Sequence, residues 1–343
     1  VLSNQSIGTF LQHNKTRATL SILSLLMLVL AACGGTSTGN TGTATPAAKG
    51  SISVLYAGSL VNMMQNQIDP GFKQDTGYTV QGESAGSSAL ANEIKGKLRR
   101  PDIFISADPN VNKTLMGSAN GNYVSWYTTF SRTSMVLGYS PKSKYAADFK
   151  EAAAGKMPWY QVLEEPGIRI GRTDPLLDPK GYYTIILTEL AEKYYNQPGL
   201  TQKLLGTDEN TKQIFPEQDM VSRLGSGQLD AGFFYLNEVK AANIPYITLP
   251  DQINLSDPAL NSTYAQATYT NTQTHQVDHG GAITYSITIP STSQNKAGAI
   301  AFVDYMLSAK GQSFLTQDGM LTTTPQLSGD KSAVPSQLQK YFQ

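Results

Sequence analysis

Apolar residues alternate over residues 51–56, and the run ends in the small-residue turn Ala57-Gly58-Ser59. Behind it Leu60, Met63, Met64, Ile68 and Phe72 recur at helical spacing. The same order of strand, small turn and helix returns over 78–80 with 89–94. It returns again over 101–107, where Asp108-Pro109 opens the next helix. Strands separated by helices predict an α/β fold with a parallel sheet. Further on, strands are expected around Phe130 and over 135–139, 169–172, 230–235, 244–249 and 283–290. Helical patterns cover 156–165, 183–195, 220–229 and 296–307. Residues 263–274 are polar and β-prone, which suits an edge ribbon.

A different pattern opens the chain. Leu20 to Leu30 is mostly apolar, follows Lys15 and Arg17, and leads through Ala31 and Ala32 into Cys33, the single cysteine. The run is too short for a transmembrane helix, which needs about 20 residues. A basic flank, a short apolar stretch and small residues before a cysteine predict a lipoprotein signal over 1–33. Cys33 is then the lipid anchor, and two or more acyl chains hold a protein on a membrane. An extracytoplasmic, membrane-anchored protein is expected. A lone cysteine excludes an intrachain disulfide framework. Residues 34–50 carry Gly, Thr, Ser, Asn, Ala and Pro and read as a flexible tether. About 290 residues remain, enough for two domains of ordinary size.

Charge adds exclusions. Lys and Arg number 26, and Asp and Glu also number 26. No basic patch stands out, so nucleic acid is not an expected partner. His275 and His279 stand four apart in β-prone sequence and do not make a metal pair, so no site for a free metal cation is expected. No P-loop, dinucleotide fingerprint or GxSxG elbow occurs.

The candidate chemistry lies in turns. Ser59 and Ser87 each follow a strand and open a helix. Either can cap that helix or donate to an anion at its first turn. Gly58 and Gly86 allow the backbone a close approach to a ligand. Adjacent βα units of a parallel sheet deliver both turns to one edge. Asp174 and Asp178, set around Pro175 and Pro179, are either a turn with a helix cap or a pair of working carboxylates. Tyr235 ends an apolar strand, either packed there or closing on a ligand.

Six blocks then stand in order: YAGSL at 56–60, ESAGSSALANEI at 83–94, PDIFISAD at 101–108, DPLLDPKGYY at 174–183, SGQLDAGFFY at 226–235 and GAITYSITIPST at 281–292. Together, over about residues 52–325, they resemble the periplasmic molybdate- and tungstate-binding proteins of ABC importers. The resemblance implies an α/β, bilobal type II periplasmic-binding-protein fold, with two parallel or mixed-sheet lobes joined by a two-crossover hinge. Lobe 1 would hold 51–130 and 284–343, and lobe 2 would hold 131–283. It implies a receptor rather than an enzyme, with no cofactor, that delivers molybdate or tungstate to an ABC permease. Ser59, Ser87 and Tyr235 match the family's anion donors. An archaeal-type branch adds two carboxylates. The first matches Asp178, while Phe234 stands in the place of the second, so a four-coordinate, hydrogen-bonded anion is expected. Nothing signals oligomerisation, and a monomer is expected. A receptor for sulfate, phosphate or an organic anion remains an alternative. An extracellular hydrolase using Asp174 and Asp178 is the alternative from another class.

Overall fold

The computed structural model describes residues 47–342. The expected signal, the Cys33 anchor and most of the expected tether lie outside the described residues. Strand β1 (Gly50–Ala57) pairs in parallel with β2 (Tyr78–Ala85), from Gly50 opposite Tyr78 to Ala57 opposite Ala85. On its other side β1 pairs in parallel with β3 (Ile103–Ser106). Covered on both faces, β1 ends in the buried run Val54, Leu55, Tyr56 and Ala57. The three strands run the same way, so their C-terminal ends share one edge of the sheet. A helical run over 58–76, the helix Ser87–Lys95 and the helix Pro109–Lys113 all begin along that edge.

The sheet is mixed rather than purely parallel. Strand β11 (Thr284–Thr288) arrives from far along the chain and lies antiparallel between β3 and β4 (Trp126–Arg132). Two short strands, β12 (Leu321–Thr322) and β13 (Leu327–Gly329), complete seven strands on β4. Asp102 ties this late part of the chain to β1. One carboxylate oxygen accepts from Ser293 Oγ and from the amides of Gln294 and Asn295, while the other accepts from the Ser53 amide at 2.9 Å.

The second sheet joins β5 (Met135–Tyr139), β6 (Ile170–Gly171), β7 (Ala231–Tyr235) and β8 (Tyr246–Thr248) in the order β6-β7-β5-β8. The helix Pro179–Tyr194 packs on it through Ile185, Ile186, Leu187 and Leu190, all buried. A separate ribbon pairs β9 (Thr268–Thr270) with β10 (Val277–His279). It starts later than the polar pattern suggests, because Asn261–Tyr264 is helical. The chain passes from β4 into the second unit and returns once into β11. Two lobes joined by two crossovers make the fold bilobal α/β. No helix among the described residues is long and apolar enough to cross a membrane.

Candidate functional site

The shared strand edge of the first lobe faces three elements of the second. At β2, the Ala89 amide donates to the Leu177 carbonyl at 3.0 Å, and Gln218 Nε2 donates to the Ser84 carbonyl at 3.0 Å. At β1, Asn237 Nδ2 donates to the Ser59 carbonyl at 2.8 Å. At β3, the Tyr182 hydroxyl donates to Asp108 Oδ2 at 2.6 Å. The two turn glycines lie in this contact. A Cβ on Gly86 would stand 2.3 Å from the Leu177 carbonyl oxygen and 2.9 Å from Asp178 Cβ. A Cβ on Gly58 would stand 2.2 Å from Glu217 Oε2.

Neither serine caps its helix. The run from Gly58 and the helix Ser87–Lys95 both start without a side-chain cap. Instead the Ser59 hydroxyl shares a 2.8 Å hydrogen bond with the Tyr285 hydroxyl, and Ser87 Oγ accepts from the Ala107 amide at 3.1 Å. The Ser87 hydroxyl proton is thus free to be donated. First-turn N–H groups have no partner within their own helix, which makes such starts attractive to anions. The Tyr235 ring meets that of Tyr285 edge-on, with centroids 6.1 Å apart, so Tyr235 reaches the first lobe. Its hydroxyl is buried without a hydrogen-bond partner among the described residues.

Asp178 does cap a helix. Its Oδ1 accepts from the Lys180 amide at 2.9 Å, at the start of Pro179–Tyr194. Asp174 likewise closes its own turn, accepting from the Leu176 amide at 2.9 Å. The remaining oxygen of Asp178 is buried and unpartnered among the described residues, as is Glu217 Oε2. Glu217 opens the helix Glu217–Ser226, which also lacks a side-chain cap. Lys180 Nζ donates to Glu217 Oε1 at 3.0 Å and to Glu238 Oε1 at 2.7 Å. Glu238 Oε2 in turn accepts from the Tyr235 amide at 2.8 Å.

Exposure is 4% for Asp178, 7% for Glu217, 9% for Glu238 and 0% for Lys180, so two carboxyl groups share one ammonium away from water, with the Asp178 carboxyl buried beside them. Burial holds the Glu217 carboxyl well above the usual range, with the Asp178 charge adding to it. Burial raises Asp178 too, against the pull of Lys180. Burial works against the Lys180 charge, but Glu217, Glu238 and Asp178 outweigh it and hold the ammonium above its ordinary range. A lysine so held is charged at neutral pH.

Four of the residues expected from sequence, Ser59, Ser87, Asp178 and Tyr235, come to this interface, with Gly58 and Gly86 against it. Glu217 and Lys180 are additions. Apolar spacing places the start of the Glu217 helix near Met220, whereas Pro216 followed by the acidic first turn Glu217 and Asp219 was the available signal. Phe234, in the expected place of a second carboxylate, packs its ring 5.7 Å from Lys180 Nζ. Glu217, on the helix that precedes β7, brings a buried carboxyl group to the same ammonium. On the outer flank of the contact lies a polar groove of about 680 Å³, with Ser88, Asn92, Tyr182, Asp278 and His279 among its lining.

Known proteins resemble this chain in sequence or in fold. A protein of Haloferax volcanii named as an ABC transporter molybdenum-binding protein is 35% identical over 76% of this chain and 80% of its own length. The molybdate/tungstate-binding protein of Pyrococcus abyssi is 28% identical over 89% of this chain and 93% of its own. Among solved structures, the periplasmic molybdate-binding protein of Azotobacter vinelandii superposes with a TM-score of 0.55 at 19% identity, covering 79% of this chain and 98% of that one. The family model described as bacterial extracellular solute-binding protein matches residues 52–321, and the chain belongs to that family.

Proposed function

We propose that this protein is an extracytoplasmic receptor that captures molybdate or tungstate between its lobes and delivers it to an ABC permease. One observation carries the reading. Uncapped helix starts at Gly58, Ser87 and Glu217 converge where Tyr235 OH, Asp178 Oδ2 and Glu217 Oε2 lie buried without partners among the described residues. Helix N-termini and hydroxyl donors favour an anion, and buried polar atoms without partners call for a ligand or water. The names of the relatives from Haloferax volcanii and Pyrococcus abyssi point the same way. Ser59, Ser87 and Tyr235 donate to the oxyanion. Asp178 and Glu217 flank it, and a carboxyl group that retains its proton donates rather than repels. The anion stays four-coordinate and held by hydrogen bonds.

In this reading the lobes are residues 51–130 with 284–343, and 131–283. They close because both donate to one ligand. The protein acts as a monomer, uses no cofactor, catalyses no reaction and is tethered through a lipid on Cys33. Phosphate is a second reading, since the unpartnered carboxyl oxygens could accept the proton of its monohydrogen form. A hydrolase has less support. Asp174 and Asp178 each cap their own turn, and neither lines the open groove.

Tyr235→Phe tests the site with the smallest change. It removes a hydrogen bond to a charged group, about 1.5–3 kcal/mol. Molybdate affinity is expected to fall about 10- to 150-fold, with the melting temperature of the free protein unchanged. Unaltered affinity by calorimetry would remove Tyr235 from the site.

A further inference from the structure

Lys180 is fully buried at the interface, and it is not among the anion donors assigned above. Its Nζ lies 3.0 Å from Glu217 Oε1 and 2.7 Å from Glu238 Oε1, and its charge stands 5.5 Å from the centre of the Tyr235 ring. Both carboxyl groups it binds lead on to the site. Glu217 turns its second oxygen, unpartnered, toward Gly58 at the first strand end. Glu238 holds the amide of Tyr235.

We propose that Lys180 is a positioning residue of the anion site, fixing the Glu217 carboxyl so that its free oxygen meets the ligand. The inference rests on the anion-receptor reading above. A buried carboxyl bonded through one oxygen has only one direction left for the other. Without the ammonium, Glu217 would be free to turn, since its side chain has no other hydrogen bond among the described residues. The groups facing Lys180 are Asp178 on its own helix start, Glu217 and Glu238 on the two neighbouring helices, and the rings of Phe234 and Tyr235 at the end of β7.

The test is a mutant cycle in full-length protein carrying Glu238→Gln. In that background Lys180→Met removes the ammonium without changing the net charge relative to the wild type. Four proteins are compared by calorimetric titration with molybdate: the background alone, with Lys180→Met, with Glu217→Ala, and with both. Lys180→Met is expected to weaken binding at least tenfold when Glu217 is present and less than about twofold when Glu217 is Ala. Equal losses in the two backgrounds would assign Lys180 to the anion directly, and no loss in either would make it structural; both overturn the proposal. Lys180→Arg, which keeps the charge but moves the donors, runs through the same cycle should the Met protein fail to fold. Wild-type protein titrated in parallel with molybdate, tungstate, sulfate and phosphate separates the two levels. If it binds none of them, the receptor reading fails; if it binds one and the cycle is additive, only the role of Lys180 fails.

Discussion

Gly86→Ala is expected to leave the free protein folded and to weaken anion capture by about 5- to 150-fold. Gly86 has φ −57° and ψ 135°, backbone that alanine adopts without strain. The methyl group therefore costs little within its own lobe. Across the interface it would stand 2.3 Å from the Leu177 carbonyl oxygen and 2.9 Å from Asp178 Cβ. A backbone carbonyl cannot rotate away, so the lobes must stop short of this closed arrangement. Overpacking of this kind costs about 1–3 kcal/mol. That cost falls on the state in which both lobes reach the ligand. The melting temperature without ligand should move by less than the ~2–4 °C that a 1 kcal/mol loss produces in a domain of about 150–250 residues. Gly225→Ala is the matched control, because a Cβ there meets nothing within 4 Å. Wild-type affinity in Gly86→Ala, measured by calorimetry, would mean that the ligand is held in some other arrangement of the lobes.

Lys180→Met alone is expected to lower stability by about 3–5 kcal/mol near neutral pH, the usual consequence of removing one partner from a buried ion pair. It strands two carboxyl groups that now share the ammonium at 3.0 and 2.7 Å. The pH dependence identifies the cause. Asp178 and Glu217 have pKa values above the ordinary carboxyl range in the folded protein, chiefly through burial. The folded state therefore keeps protons that the unfolded chain releases, so stability falls as pH rises through that window and recovers as pH falls. Without the ammonium both groups are pushed further up. The deficit of the variant should then be largest at alkaline pH and shrink as pH falls through the raised range of these two carboxyl groups. Lys180 itself titrates above its ordinary value, so its stabilising charge is fully present throughout this range. Denaturant unfolding at several pH values checks this, and a deficit that stays constant with pH would point to lost packing rather than lost charge.

Much of this site is legible in the chain because its first-lobe half is local. A strand, a glycine and a serine at a helix start occur twice within 40 residues, and parallel pairing of β1 with β2 places Ala57 beside Ala85. Tyr235 is legible as the end of an apolar strand. The second-lobe half is less so. Glu217 lies 39 residues after Asp178, and its helix begins before the apolar spacing starts to speak. Lys180 in DPKGY resembles an ordinary solvated lysine. Its complete burial depends on carboxyl groups from two other helices, which no local pattern reports. The antiparallel place of β11 is equally non-local, since its partners lie more than 150 residues away in the chain. Strand β2 outruns its apolar part through Gln81, Gly82 and Glu83 because backbone pairing with β1 continues there. The capping role available to Ser59 and Ser87 is not taken up, as each hydroxyl bonds within its own lobe to a neighbour distant in sequence.

The most direct test of the central claim is calorimetric titration of ligand-stripped protein, residues 34–343, with molybdate, tungstate, sulfate and phosphate in parallel. Submicromolar binding of molybdate or tungstate, with sulfate and phosphate at least about a hundredfold weaker, or about 2.7 kcal/mol, is the predicted result. No heat and no saturation with molybdate or tungstate would contradict the account, and tight binding of phosphate instead would keep the closing lobes while reassigning their cargo.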